Sequence, residues 1–131
     1  MQIPFSTLSL DKELLLSDGQ TNTSDGPGKV GGVDKILPVV PGRAYIATVN
    51  VTSIDEVDTD EVYQLTIQEI DADGVTPKRK HNFTANSIIS AAGVFQLGFV
   101  PLDPNVTLVL EMTGTTPSIV IAKAYVSGVK N

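Results

Sequence analysis

The sequence contains no cysteine and no tryptophan, and its aromatic residues are limited to four Phe and three Tyr. Without cysteine the chain can form neither a disulfide framework nor a thiolate metal site. Few aromatic rings also disfavour a sugar-binding platform, which needs flat apolar surfaces. The single histidine, His81, would have to carry any histidine-dependent catalysis alone. We therefore expect no enzyme and no cofactor.

Basic residues are also scarce, since nine Lys and Arg face fifteen Asp and Glu for a net charge of −6. Phosphate binding depends on clustered basic side chains, so the charge disfavours nucleic acid and anionic membranes as partners. No apolar run approaches the roughly 20 residues that span a bilayer. The first residues lack a basic start followed by an apolar run, which predicts no signal peptide and synthesis in the cytoplasm.

What the sequence does contain is typical of a single β domain. The length of 131 residues suits one hydrophobic core, and 41% of the residues are hydrophobic. Val, Ile, Leu and Thr supply most of the strand-like segments, and β-branched side chains favour a pleated surface. Eleven Gly and eight Pro provide turns. We predict one domain over 1–131, with 1–32 as an N-terminal arm and loop.

Alternation of apolar and polar residues is the strongest structural signal. This period of two predicts strands with one buried and one wet face, as in antiparallel sheets. About eight strands, with frequent turns and no βαβ pattern, predict an all-β antiparallel β-sandwich or jelly roll with an extended N-terminal segment. The apolar positions of the three clearest strands are Tyr63, Leu65 and Ile67, then Phe95, Leu97 and Phe99, and then Leu108, Leu110 and Met112.

Four other segments have less regular patterns. Residues 33–40 (VDKILPVV) predict an edge strand, because Pro38 cannot donate a ladder hydrogen bond. Residues 118–126 are apolar on both faces, so this strand is either covered on both sides or meets a partner. Residues 18–32 are rich in Gly, Asn, Asp, Ser and Thr and predict a long irregular loop. A helix over 6–16 is a weaker alternative to strand.

Three charged segments could carry chemistry. The basic run 78–81 (KRKH) is typical of a solvated turn, or alternatively of a contact for an acidic partner. Residues 71–74 (DADG) resemble the start of a calcium loop, but Val75 stands where a third oxygen ligand is required and Asn82 stands where the loop requires a Glu. A tight turn fits them better. The acidic cluster over 55–61 could hold a hard cation, but it is more typical of a solvated loop. We predict no metal site.

Five segments follow one another along the chain: 16–20 (LSDGQ), 41–45 (PGRAY), 92–95 (AGVF), 100–102 (VPL) and 110–115 (LEMTGT). In the order of these segments, the sequence resembles a known family, the jelly-roll capsid cement (decoration) proteins of tailed bacteriophages, of the type described from a Bordetella phage. The similarity extends along nearly the whole chain, and each segment alone carries little information. The chain departs from the family at the Gly-rich loop 26–32 and at the basic run 78–81.

The resemblance implies a virion structural protein that binds the outer capsid surface as a homo-oligomer, a dimer or a trimer. Its partners would be the major capsid protein and other copies of itself, and its final location would be the virion. The alternative, from another functional class, is a small carbohydrate- or calcium-binding β-sandwich module. The side chains that we expect to contact a partner are Ile3, Phe5, Leu8, Leu10, Lys78, Arg79, Lys80, Ile119 and Ile121.

Overall fold

The computed structural model describes residues 14–55 and 60–129, and these ranges contain strands and turns but no helix. It follows that none of their segments is a helix that could cross a membrane. Four of the predicted contact residues, Ile3, Phe5, Leu8 and Leu10, lie outside the described ranges. The strands are β1 (Leu14–Ser17), β2 (Gln20–Asn22), β3 (Gly26–Pro27), β4 (Lys29–Val30), β5 (Val33–Asp34), β6 (Leu37–Pro38), β7 (Tyr45–Ile54), β8 (Val62–Ile70), β9 (Pro77–Asn82), β10 (Ile88–Ile89), β11 (Gly93–Phe99), β12 (Asn105–Thr113) and β13 (Ile119–Gly128).

These strands form two antiparallel sheets that pack face to face. The first sheet has the order β1-β13-β7-β11, with β2 also paired to β13. The second has the order β10-β8-β12-β3, with β6 added to β12 and β9 added to β8. The hairpin of β4 and β5 stands apart from both. The predicted all-β antiparallel sandwich is confirmed.

The buried core lies between the sheets and follows the alternation seen in the sequence. On β8 and β12 the apolar positions pair directly, as Leu65 with Leu110 and Ile67 with Leu108. Both pairs are inaccessible to solvent or nearly so, and they belong to one continuous hydrophobic cluster. Burying such side chains stabilises the fold by about 1.5–3 kcal/mol each. The period of two therefore identified these core positions of β8 and β12.

The segment 18–32 differs from its prediction, because it contains three short strands and packs against the sandwich. Gln20 holds it together: its side-chain oxygen accepts from the Lys29 amide at 2.7 Å, and its Nε2 donates to the Pro27 carbonyl at 3.0 Å. Gly28 lies so close to β1 that a Cβ there would stand 2.3 Å from the Leu16 carbonyl oxygen. Here glycine permits close packing of backbones rather than flexibility.

Two other segments also differ from expectation. The predicted edge strand 33–40 is broken into β5 and β6, although Pro38 does lie at a sheet edge, opposite Asn105. The described part of 6–16, from Leu14 onward, is strand rather than helix and pairs with Val126 on β13. Of the three consecutive leucines, Leu16 is fully buried whereas Leu14 is 37% exposed, which fits a strand at the edge of the sheet.

The sequence left open whether strand β13 is covered on both faces or meets a partner, and the position of its side chains now bears on this choice. Ile119 and Ile121 are each only 1% exposed, because their side chains point into the core. The prediction that these two residues contact a partner is therefore wrong. On the other face of β13, Lys123 and Tyr125 are partly open to solvent.

Candidate functional site

Within residues 14–55 and 60–129, no group of three or more His, Asp or Glu is placed to hold a metal ion. Asp73 instead accepts hydrogen bonds from the amides of Val75 and Thr76, at 2.8 Å each, and from the Thr76 hydroxyl. These bonds, led by the hydroxyl, lower the pKa of Asp73 to about 2. Gly74 has a φ of 75°, so this segment is the tight turn that its sequence indicated.

The acidic cluster 55–61 is described only in part, since Glu56 and Asp58 fall outside the described ranges. The Tyr63 hydroxyl donates its proton to the Asp55 carbonyl at 2.9 Å and accepts from the Ser118 amide at 3.0 Å. Burial is the main reason that the pKa of Tyr63 is raised. This hydroxyl joins two loops at one end of the sandwich.

The basic run 78–81 belongs to a strand, and the predicted solvated turn is wrong. These residues lie in β9, which pairs with β8 and places Lys80 opposite Gln68. Lys78 approaches Asp71 at 3.5 Å, and Lys80 approaches a carboxylate oxygen of Glu111 at 2.8 Å. Both ion pairs are partly exposed, so each contributes at most about 1 kcal/mol.

Glu69 forms the most unusual polar centre of the molecule, and the sequence analysis missed it. Its side chain is 0% exposed and lies on the inner face of β8. One carboxylate oxygen accepts from the amides of Leu102 and Asp103, at 2.7 and 2.9 Å. The other accepts from Arg79 Nε at 3.1 Å and lies 2.5 Å from His81 Nε2. The sequence did contain a signal, because Glu69 is the next alternate position after Tyr63, Leu65 and Ile67 and therefore lies on the same buried face of the strand.

Two opposing effects set the pKa of Glu69. Burial alone would raise it, but the hydrogen bonds from His81 and from the Asp103 and Leu102 amides, together with the charge of Arg79, outweigh burial and lower it. The carboxylate therefore stays ionised, and both its oxygens are engaged by these donors. Such a saturated group is a structural anchor, with no free oxygen to act on a substrate.

The anchor ties the edge strand β9 to the connection 100–104 between β11 and β12. Arg79 Nη2 donates to the Val100 carbonyl at 3.0 Å, in addition to its contact with Glu69. The His81 ring packs on Phe99 with centroids 5.3 Å apart, and Phe99 stacks on Tyr45 at 5.9 Å. The buried charge thus fixes the path of a loop that lies at the surface.

That loop exposes an apolar surface at one end of the sandwich. Val40, Val100 and Leu102 are 57%, 47% and 66% exposed, and we call these three residues the end patch. The loops that carry them are joined, since the Gly42 amide donates to the Pro101 carbonyl at 2.8 Å. Sequence reasoning missed the patch because exposure depends on how two distant loops meet.

A second accessible surface is the outer face of the first sheet. Tyr125 on β13 lies opposite Thr48 on β7, and Thr48 lies opposite Gln96 on β11. Gln96 donates from Nε2 to the Thr48 hydroxyl at 3.3 Å. The Lys123 ammonium stands 4.9 Å from the centre of the Tyr125 ring. We call this surface the Tyr125 face; its aromatic ring is already in contact with a cation from the same strand.

Comparisons with known proteins define the class of fold. The chain aligns over 95% of its length with 97% of the CBM22-1 xylan-binding domain from Paenibacillus barcinonensis Xyn10C, with a TM-score of 0.50 and 10% identity. This similarity shows a shared β-sandwich fold.

A second solved structure is the Clostridium thermocellum endo-1,4-beta-D-xylanase Xyn10B, CBM22-1 and GH10 modules, complexed with xylohexaose. There the TM-score is 0.45 and the identity 12%, over 95% of this chain and 28% of that one. No protein-family model matches the sequence. No curated protein matches it either.

Proposed function

We propose that this protein is a non-catalytic virion component that binds the outer surface of a capsid and cements neighbouring capsid subunits. The proposal rests on the resemblance of the chain, in the order of its segments, to the jelly-roll cement proteins. Within the described residues, the structure supports it with a β-sandwich whose buried Glu69 carboxylate has both oxygens hydrogen-bonded internally.

The physical mechanism would be linkage between binding and assembly. A protein that binds the assembled shell and not the free subunits stabilises the shell by mass action, by about 2.7 kcal/mol per site at a concentration one hundred times its Kd. This mechanism requires a rigid domain and complementary surfaces, and it needs no chemical step. The end patch is one candidate surface, because its three residues keep apolar side chains exposed on two loops that are joined by a hydrogen bond.

The test is co-sedimentation with purified capsids of the virus that encodes the chain, followed by thermal disruption of the shells. We expect the protein to pellet with the shells in a saturable manner and to raise their disruption temperature. The same chain unfolded by acid before mixing is the control for trapping. No saturable binding to intact shells would contradict the proposal.

Carbohydrate binding is the second candidate, favoured by the fold shared with a xylan-binding domain and by the Tyr125 face. That face combines an aromatic ring with the amide side chains of Asn50 and Gln96. Two observations argue against carbohydrate binding. The other aromatic residues within 14–55 and 60–129 belong to the core or pack against the core. The Lys123 ammonium already stands over the Tyr125 ring.

A pull-down on insoluble xylan and a glycan array test this second candidate. If it holds, Tyr125→Ala should lose the binding, whereas Tyr63→Phe, which alters an internal loop tie, should keep it. The calcium version of the same candidate predicts that calcium raises the melting temperature. Absence of glycan binding and of any calcium shift would eliminate the candidate.

A further inference from the structure

We infer that strand β11 binds an extended segment of another protein, which adds to the first sheet as a further strand. The segment that fits is uncharged and apolar at every second residue. The inference goes beyond the proposed function, because it names how a partner chain is held and needs no capsid. Three observations support it: the protection of the other sheet edges, the direction of the β11 backbone groups, and the open side of the core beside β11.

The other edges of the two sheets are shielded against a foreign strand. The segment 26–30 lies along β1, and the Asp18 amide just after that strand donates to the Lys29 carbonyl. The strands β3, β6 and β10 have only two residues each. The strand β9 begins with Pro77, carries three basic residues and pairs with an irregular register. Covering segments, short strands, proline, lysine and irregular pairing all discourage strand addition.

The strand β11 has none of these protections. It consists of seven residues (GVFQLGF), of which none is charged and none is proline. It pairs with β7 along its whole length without a register shift. In the part of the chain that the structure describes, β7 is its sole strand partner. A regular, uncharged edge of this length is a template for another strand, held by main-chain hydrogen bonds.

The backbone groups of β11 point alternately toward β7 and away from it, because the two strands are antiparallel. On the other side of β7, the Val129 amide donates to the Ala44 carbonyl, in register with the pairing of β13 and β7. Ala44 therefore faces β13, and the next residue, Tyr45, faces β11, where it lies opposite Phe99. It follows that the backbone groups of Phe99 are directed at β7 and those of Gly98 away from it.

By the same alternation, the outward amides and carbonyls of β11 belong to Val94, Gln96 and Gly98. Within the described ranges, no backbone hydrogen bond outside the strand pairs involves any of these three residues. The next carbonyl along this edge is that of Val100, and Arg79 already donates to it at 3.0 Å. The open edge thus offers donors and acceptors over three alternate residues and ends where Arg79 closes it.

The core is also open on the side of β11. Phe95 and Leu97 pack against the core but are only partly buried, whereas the residues opposite them on β7, Val49 and Ala47, are 0% exposed. The difference arises because no described strand lies beyond β11. An added strand would cover Phe95 and Leu97 with its own inward side chains, so apolar residues at alternate positions fit best. A charge buried there would have no partner on β11.

A second copy of this chain fits the edge less well than a free segment does. The inward side chains of its β11 already pack on its own core, so they cannot cover Phe95 and Leu97 of the first copy. An edge of seven residues is about 24 Å long, and a strip about 10 Å high along it has an area of roughly 240 Å². A stable interface buries about 800 Å² per partner. The net charge of −6 on each copy also opposes the pairing.

Hydrogen exchange of individual amides, measured by NMR, tests the inference. The probe is a synthetic peptide of alternating valine and threonine with a lysine at each end, added to the protein without capsid. We expect the outward amides of Val94, Gln96 and Gly98 to exchange at least about tenfold more slowly when the peptide is present. The amides of Phe95 and Leu97 already bond to β7 and should change little.

A matched peptide and a matched pair of variants separate strand addition from other kinds of binding. The same peptide methylated at its backbone nitrogens keeps its side chains but loses its donors, and it should not slow the three amides. Gln96→Pro removes one outward donor and places a ring in the path of the partner, so it should abolish binding. Gln96→Thr keeps the amide and should bind like the wild type. Matching melting curves verify that both variants are folded.

Three results would overturn the inference. The first is no slowing by the plain peptide, or equal slowing by the plain and the methylated peptides. The second is binding by folded Gln96→Pro as strong as that by Gln96→Thr. The third is protection of the outward amides in the protein alone that grows with its concentration, which would mean that a second copy occupies the edge. Failure of capsid binding would leave the peptide result unaffected, so the two proposals fail separately.

Discussion

Replacing Glu69 by Gln tests the buried anchor, because the substitution keeps the shape of the side chain and removes its charge. The carboxylate accepts from two backbone amides on one oxygen and faces Arg79 and His81 on the other. A glutamine can offer an oxygen to only one of these groups of donors. Its NH₂ group must then face donors on the other side.

The expected loss of stability follows from these contacts. Breaking a buried ion pair costs about 3–5 kcal/mol when the partner stays buried. Arg79, however, is half exposed and can turn toward water, and the His81 ring can change its tautomer. We therefore expect the free energy of unfolding to fall by about 2–3 kcal/mol at pH 7. For a domain of this size, that corresponds to a fall in Tm of roughly 10 °C.

Urea unfolding followed by circular dichroism measures this change, with Glu111→Gln as the matched control. Glu111 pairs with Lys80 at a similar distance but at the surface, so its replacement should cost less than about 1 kcal/mol. If both variants lose the same stability, burial does not strengthen the Glu69 contacts and the reasoning is refuted.

The same anchor predicts how stability depends on pH. Because folding lowers the pKa of Glu69, its contribution is complete above its ordinary value near 4.5 and is lost as the pH falls through the lower folded value. The stability difference between the wild type and Glu69→Gln should therefore shrink as the pH falls below about 4.5. Urea curves at pH 7, 4 and 3 measure it. A difference that grows on acidification would contradict the assigned direction.

Two further predictions concern other parts of the fold. Tyr63→Phe should lower the free energy of unfolding by about 1–2 kcal/mol, because it leaves the Asp55 carbonyl and the Ser118 amide without their partner. Thermal unfolding measures the change. An unchanged stability would mean that water replaces the hydroxyl. Gly28→Ala should lower the free energy of unfolding by about 3 kcal/mol, because the new methyl group meets a backbone carbonyl. Gly98→Ala places its methyl group in open space and should leave the stability nearly unchanged. Similar urea midpoints for the two alanine variants would refute the close packing at Gly28.

Some features of the fold could be read from the sequence because they depend on local pattern. Alternation identified the buried apolar positions of β8 and β12 and the core-facing, partly buried Phe95 and Leu97 of β11, since a strand must place successive side chains on opposite faces. The turn at Asp73 and Gly74 was also predictable, because its hydrogen bonds lie within four residues. The segment 18–32 was not, because its order depends on contacts with Leu16 and Leu108, which come from other strands.

The candidate surfaces depend even more on distant residues. Glu69 is hydrogen-bonded to Leu102 and Asp103, which lie more than thirty positions further along the sequence. A local sequence pattern cannot predict a contact between residues so far apart. Ile119 and Ile121 looked equally suited to a core and to an interface, and only the second sheet packed over them decides between the two.

The sequence by itself determined that this chain is an all-β domain with an alternating core, because side-chain periodicity is a property of each strand alone. The tertiary structure decided where a charge is buried and which apolar residues stay in water. Those outcomes depend on which strands and loops become neighbours. In this protein the fold brings the segments 39–43, 79–81 and 100–104 together at one end of the sandwich.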